Sequence, residues 1–117
     1  MINSNTTPID LDLKIPKGTT KAYEIQIFKN DLAEDITDWT ITLIVKEKMS
    51  DPDTSAIINE LASLSDATSG KALIRLETTD TDITPKSYYY AIKFEDDQSP
   101  ANVGIIIRGR LTIEKTV

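Results

Sequence analysis

Residues 39–46 read Trp-Thr-Ile-Thr-Leu-Ile-Val-Lys. Successive side chains of an extended chain point to opposite faces, so Trp39, Ile41, Leu43 and Val45 share one face while Thr40, Thr42 and Lys46 share the other. Ile44 is the one apolar residue in the polar series, which implies that both faces of this strand are partly covered. The alternation predicts a central β-strand, with Trp39 and Leu43 as core anchors.

The same period of two recurs on either side. Upstream, Ile9, Leu11, Leu13 and Ile15 alternate with Asp10, Asp12 and Lys14 up to a turn at Pro16-Lys17-Gly18. Tyr23, Ile25 and Ile27 then form a second inward series. Downstream, a polar loop over 50–55 precedes a short strand over 56–59, and residues 59–65 have room for no more than one helical turn. A loop over 65–70 leads into Ala72, Ile74 and Leu76, and the loop 78–85 leads into Tyr88, Tyr90, Ile92 and Phe94. Tyr88, Tyr90 and Ile92 join the core anchors. The last strand runs over 103–113, with Val103, Ile105, Ile107, Leu111 and Ile113 inward and a bulge or bend at Gly109. About seven short strands separated by turn signals, with no sustained helical period, predict an all-β fold. Its form is an immunoglobulin-like antiparallel β-sandwich, a single domain over 9–117 behind an N-terminal arm over 1–8.

Composition narrows the chemistry. The 117 residues are 39% hydrophobic and 27% charged, as in folded chains, with a net charge of −6. Lys and Arg are not clustered, so the counterion-releasing surface of a nucleic-acid binder is not expected. The chain has no Cys and no His, which removes disulfides, thiol nucleophiles, Cys/His zinc sites and the usual general base near neutral pH. Its four glycines are isolated, with no phosphate-cradling loop and no Gly-x-Ser-x-Gly elbow. The expectation is a non-enzyme with no cofactor and no bound metal. No basic segment followed by an apolar one opens the chain, and no apolar run approaches the ~20 residues of a membrane helix. Cytoplasmic synthesis without export and no membrane partner are expected.

Tyr89 points away from Tyr88 and Tyr90 and is the best candidate for contact with a partner, since exposed Tyr is enriched at interfaces. Arg108 and Arg110 alternate along the final strand as one solvated face and complete the candidate interface. The pairs Asp10/Asp12, Asp51/Asp53 and Asp80/Asp82, and the run Glu95-Asp96-Asp97, read as solvated loop charges rather than as acid–base pairs or calcium ligands.

Three stretches carry a family resemblance: Asp35-Ile36-Thr37-Asp38-Trp39-Thr40-Ile41; Gly70-Lys71-Ala72-Leu73-Ile74-Arg75-Leu76 with Thr81, Ile83, Pro85, Tyr88, Tyr90 and Ile92; and Gly109-Arg110-Leu111-Thr112-Ile113. Over residues 20 to 115 the chain resembles the N-terminal domain of phage baseplate upper proteins and the small tail proteins related to it. The resemblance implies an immunoglobulin-like domain without catalytic residues. It also implies a virion structural protein of the tail or baseplate that contacts other virion proteins and forms a homo-oligomer. Two other classes compete. A carbohydrate-binding module needs exposed aromatic rings, so the accessibility of Trp39 and Tyr89 discriminates it. A bacterial surface adhesion domain needs export, for which the opening residues give no signal.

Overall fold

The stretch 39–46 supplies β6 (Thr40–Lys46), with Ile41, Leu43 and Val45 buried. A computed structural model describes residues 9–115. Ahead of β6 come β1 (Ile9–Asp10), β2 (Leu13–Pro16), β3 (Lys21–Gln26), β4 (Phe28–Lys29) and β5 (Leu32–Ala33). After it come β7 (Ile58–Leu61), β8 (Ser63–Asp66), β9 (Lys71–Leu76), the short helix α1 (Thr78–Thr81), β10 (Ser87–Glu95) and β11 (Val103–Glu114). One sheet runs β1-β11-β10-β6-β7, with β2 also on β11, and the second runs β3-β9-β8. The strands β4 and β5 pair only with each other. The smaller sheet packs on the larger through a shared apolar core, so the described residues form an all-β sandwich. All pairings are antiparallel except at the edge, where β1 and β2 run parallel to β11. Ile15, Ile25, Ile74, Leu76, Leu111 and Ile113 fill the space between the sheets at 0–1% exposure. Each such side chain stabilises the fold by about 1.5–3 kcal/mol relative to leaving it in water. The arm expected over 1–8 lies outside the described residues.

The first strand does not keep its alternation. β1 and β2 share one register on β11, but the run breaks at Leu11 and Asp12, and Leu11 is 41% exposed instead of inward. The break is built around Gly109. A Cβ placed there would lie 2.1 Å from the Leu11 carbonyl oxygen, so only glycine lets the two backbones approach so closely. That carbonyl accepts a hydrogen bond from the Tyr90 hydroxyl, and Asp12 Oδ1 accepts the Arg110 N–H at 3.0 Å in place of a ladder bond. Burial, with Asp12 and Tyr23 adding to it, pushes the Tyr90 phenol well above its ordinary pKa.

Gly109 is therefore a point of close approach and not the expected bulge. The irregularity in the last strand falls earlier, where Ile92 pairs with Ile107 but Lys93 pairs with Ile105. The extra residue turns Ile106 inward next to Ile107, both 1% exposed. Val103 and Ile105, expected inside, are thrown to the outer face, and Val103 is 71% exposed.

Residues 59–65 form no helical turn. The chain returns beside β6 as β7, passes through buried Ala62, whose N–H reaches the Ile41 carbonyl at 2.8 Å, and enters the smaller sheet as β8. A single 3₁₀ turn over 67–69 follows and ends at Gly70, whose φ is +75°. Helix α1 interrupts the expected loop 78–85. It is held by a capping box between Glu77 and Asp80 and by buried Thr81, whose hydroxyl donates to the Thr19 carbonyl at 2.7 Å.

Glu60 of β7 meets this helix. Burial first, then a hydrogen bond with Asp80 and the charges of Asp80 and Glu77, push its carboxyl up to about 7. The folded-state value lies above the reference of 4.5, so the fold favours the protonated acid. Its contribution is complete below that reference and is lost as the pH climbs through about 7. Glu60→Gln, which stays neutral, should match the wild-type Tm at acid pH and exceed it on the alkaline side, measured by thermal melts across the range. Gly109→Ala should lose about 3 kcal/mol in urea unfolding, because the new methyl meets backbone that cannot yield.

Candidate functional site

With Tyr88, Tyr90 and Ile92 at 2–4% exposure, the alternation of β10 sends Tyr89, Ala91 and Lys93 to the outer face of the larger sheet. The register completes that surface. Tyr89 lies opposite Arg110 on β11 and Lys46 on β6, and Ala91 lies opposite Arg108 and Ile44. Tyr89, Arg108 and Arg110, singled out in the sequence, thus occupy one patch across two neighbouring strands. The Arg110 guanidinium sits 5.5 Å from the centre of the Tyr89 ring, a cation–π contact that holds both side chains along the sheet. Arg108 Nε donates to Asp10 Oδ1 at 3.1 Å.

The loop after β6 folds back over this face. Asp53 accepts from Lys46 at 2.5 Å and from Lys93 at 2.6 Å, and these two hydrogen bonds, Lys46 first, hold its carboxyl below the usual range. Ile44 lies between the two lysines and is only 8% exposed although it points outward. Lysine stems cover apolar surface while their charged ends remain wet, which accounts for the covering of both faces of β6. A shallow groove of about 790 Å³ results, lined by Tyr89, Ile44, Met49, Ile105 and the two arginines. Its four cations, Lys46, Lys93, Arg108 and Arg110, face three carboxylates, Asp10, Asp12 and Asp53. Glu95, which shares the outward side of β10, brings the carboxylates to four, so this face is near neutral on a chain of net charge −6.

Trp39 is placed differently from its expected role. It is half-buried at the end of the sandwich where β6 begins and β10 ends, stacked on Phe94 with ring centres 5.2 Å apart and planes at 23°. The inward position is taken three residues earlier by Ile36, at 0% exposure. A tight turn, with Asp38 at φ +65° and the Trp39 N–H on the Ile36 carbonyl at 3.0 Å, leaves the ring at the rim, packed against the edge of the core. Trp39 forms one wall of a cleft of about 490 Å³ with Lys29, Glu34, Asp35, Thr37, Asp96, Asp97, Gln98 and Asn102. Tyr23, expected in the core, is half-buried as well.

The paired carboxylates organise loops. Asp51 accepts the Lys48 N–H, Asp80 accepts the Glu77 N–H, and Asp96 accepts the N–H groups of Gln98 and Asn102 and the Asn102 amide. Among the described residues no three carboxylates are gathered so as to hold a metal ion. The double clamp of Asp53 escapes sequence reasoning, because Asp53 and Lys93 are 40 residues apart.

No protein-family model matches the chain, and no curated protein matches it. Among solved structures it is similar to the N-terminal domain of phage TP901-1 ORF48, at 13% identity and a TM-score of 0.63, over 97% of this chain and 96% of that one. The likeness establishes a shared fold with a domain of a phage protein. A second structure, a nucleoside hydrolase-related hypothetical protein from Saccharophagus degradans, is aligned over 89% of this chain and 22% of its own, at 12% identity and a TM-score of 0.37.

Asp53→Ala should release both lysines and uncover Ile44. The stability loss in urea should be about 1 kcal/mol at low salt and should shrink in concentrated sodium chloride, because exposed ion pairs are weak and screened.

Proposed function

We propose that this chain is a virion structural protein of a phage tail or baseplate, non-catalytic, working by protein–protein contact through the outer face of its larger sheet. The observation that carries the proposal is the Tyr89–Arg110 pair, seated beside Arg108, Ile44 and Ile105 on a surface less acidic than the molecule as a whole. Tyr and Arg are the residue types that supply most binding energy at interfaces, and these two are already held in place. The shared fold with the N-terminal domain of a phage protein supports the reading, as do the three stretches that resemble phage baseplate and tail domains. No helix among the described residues is long and apolar enough to cross a membrane. The partners are other virion proteins and further copies of this chain, because many copies of a modest contact give a symmetric assembly large combined strength.

Light scattering over a range of concentrations tests self-association. The mass of the wild type should rise above the 13.0 kDa of one chain as concentration increases. The double variant Tyr89→Ala/Arg110→Glu should weaken association by about thirtyfold, the loss of one strong interface anchor, with an unchanged circular dichroism spectrum. A mass that stays at one chain for both proteins overturns the homo-oligomer. If the variant also enters assembled tails as well as the wild type does, the outer face is not the contact.

A further inference from the structure

The cleft beside Trp39 lies apart from the outer face and plays no part in the assembly reading. We infer that it is a binding site for a neutral saccharide. Its volume of about 490 Å³ holds a small ligand, within the range of ordinary ligand pockets. One wall is flat and apolar. Trp39 is half-buried, and Phe94 stacked against it fixes the plane of the indole. A pyranose ring has the matching shape, because its axial C–H bonds form an apolar patch of slight positive charge that fits the negative face of an aromatic ring. The remaining walls are polar. Glu34 and the second carboxylate oxygen of Asp97 supply acceptors for hydroxyl groups. The side-chain amides of Gln98 and Asn102 each place one N–H on a neighbouring aspartate and keep a second N–H and a carbonyl oxygen for a ligand.

The polar wall is already organised. The 96–102 loop is tied at both ends, since Asp96 N–H donates to the Asn102 carbonyl at 2.9 Å while the Asp96 carboxylate takes the Asn102 N–H and side-chain amide at 2.8 Å each. Asp35 is occupied in the same way by Thr37. Binding therefore orders little that is not ordered already, which removes part of the usual entropic cost. Charge selects the ligand class. Four carboxylates against the single Lys29 repel phosphates and acidic sugars, while three of the four, Asp35, Asp96 and Asp97, accept from local donors, and the set does not converge on a cation. An uncharged polyol is the class that remains.

Trp39 is the only tryptophan in the chain, so emission excited at wavelengths where tyrosine does not absorb reports on this cleft. The full chain is titrated with D-glucose, D-galactose, N-acetyl-D-glucosamine, L-rhamnose and their short oligomers, with calorimetry in parallel. At least one should give a saturable change in emission accompanied by heat, and galacturonate should bind more weakly than galactose. The double variant Glu34→Gln/Asp97→Asn should lose about tenfold in affinity, the cost of weakening a charge-assisted hydrogen bond, with Tm unchanged. Trp39→Phe, which keeps a ring against Phe94, provides a second variant and should lose binding heat while remaining folded. The inference is overturned if no saccharide produces heat or a change in emission, or if both variants bind as the wild type does. It is equally overturned if galacturonate binds as well as galactose, or if calcium chloride alone shifts the emission and a chelator reverses it, which would make the cleft a cation site.

Discussion

The carbonyl of Leu11, lying over Gly109 and accepting the Tyr90 hydroxyl, is the contact on which the arrangement of the larger sheet rests. It answers two demands at once. A phenol inside a sandwich must find a partner, and a carbonyl that a broken ladder leaves over the core needs a donor. Because the edge strand is fixed at that point, Asp10 reaches Arg108 and Asp12 reaches the Arg110 backbone. The outer face that we assign to partner contact is thus set from within: a core tyrosine holds the first strand, and the first strand holds the arginines.

Period two was enough wherever a strand stays in one sheet with one face covered. Leu43, Tyr88, Tyr90 and Ile92 point into the space between the sheets for this reason, and the grouping of Tyr89 with Arg108 and Arg110 follows from the same rule applied to the opposite face. Alternation gives no warning of a departure from itself. One extra residue in β11 puts Ile106 inside and Val103 outside, and nothing in the run Val-Gly-Ile-Ile-Ile marks which isoleucine is the additional one. Residues 59–65 carry too few apolar side chains to show that they belong to two sheets in succession. Trp39 has the correct parity for the core, but a left-handed Asp38 turns the chain just before the strand begins, and a single non-glycine residue at positive φ has no dependable sequence signature.

The surface is divided by charge as well as by shape. The groove over β6, β10 and β11 gathers lysines and arginines whose carboxylate partners nearly balance them, whereas the Trp39 cleft gathers four carboxylates around one lysine. The two lie on different parts of the sandwich, so a macromolecular partner on the first leaves the second open to solvent. A chain of this size has room for both because its core is thin: one layer of interleaved isoleucine and leucine suffices, and the outward halves of the same strands are free to carry other chemistry.

The passage from β7 through Ala62 into β8 has a consequence for what the molecule resists. On that flank each free backbone run is only four residues long before the chain changes sheet. A foreign extended segment laid alongside would find its hydrogen-bonding template turning away after one short stretch, and fibrillar growth from that flank is cut short. Of the two flanks, only the one bearing the six-residue strand β3 presents a longer template. Crowded at high local copy number, such a molecule is guarded against endless cross-β stacking by geometry on one side alone.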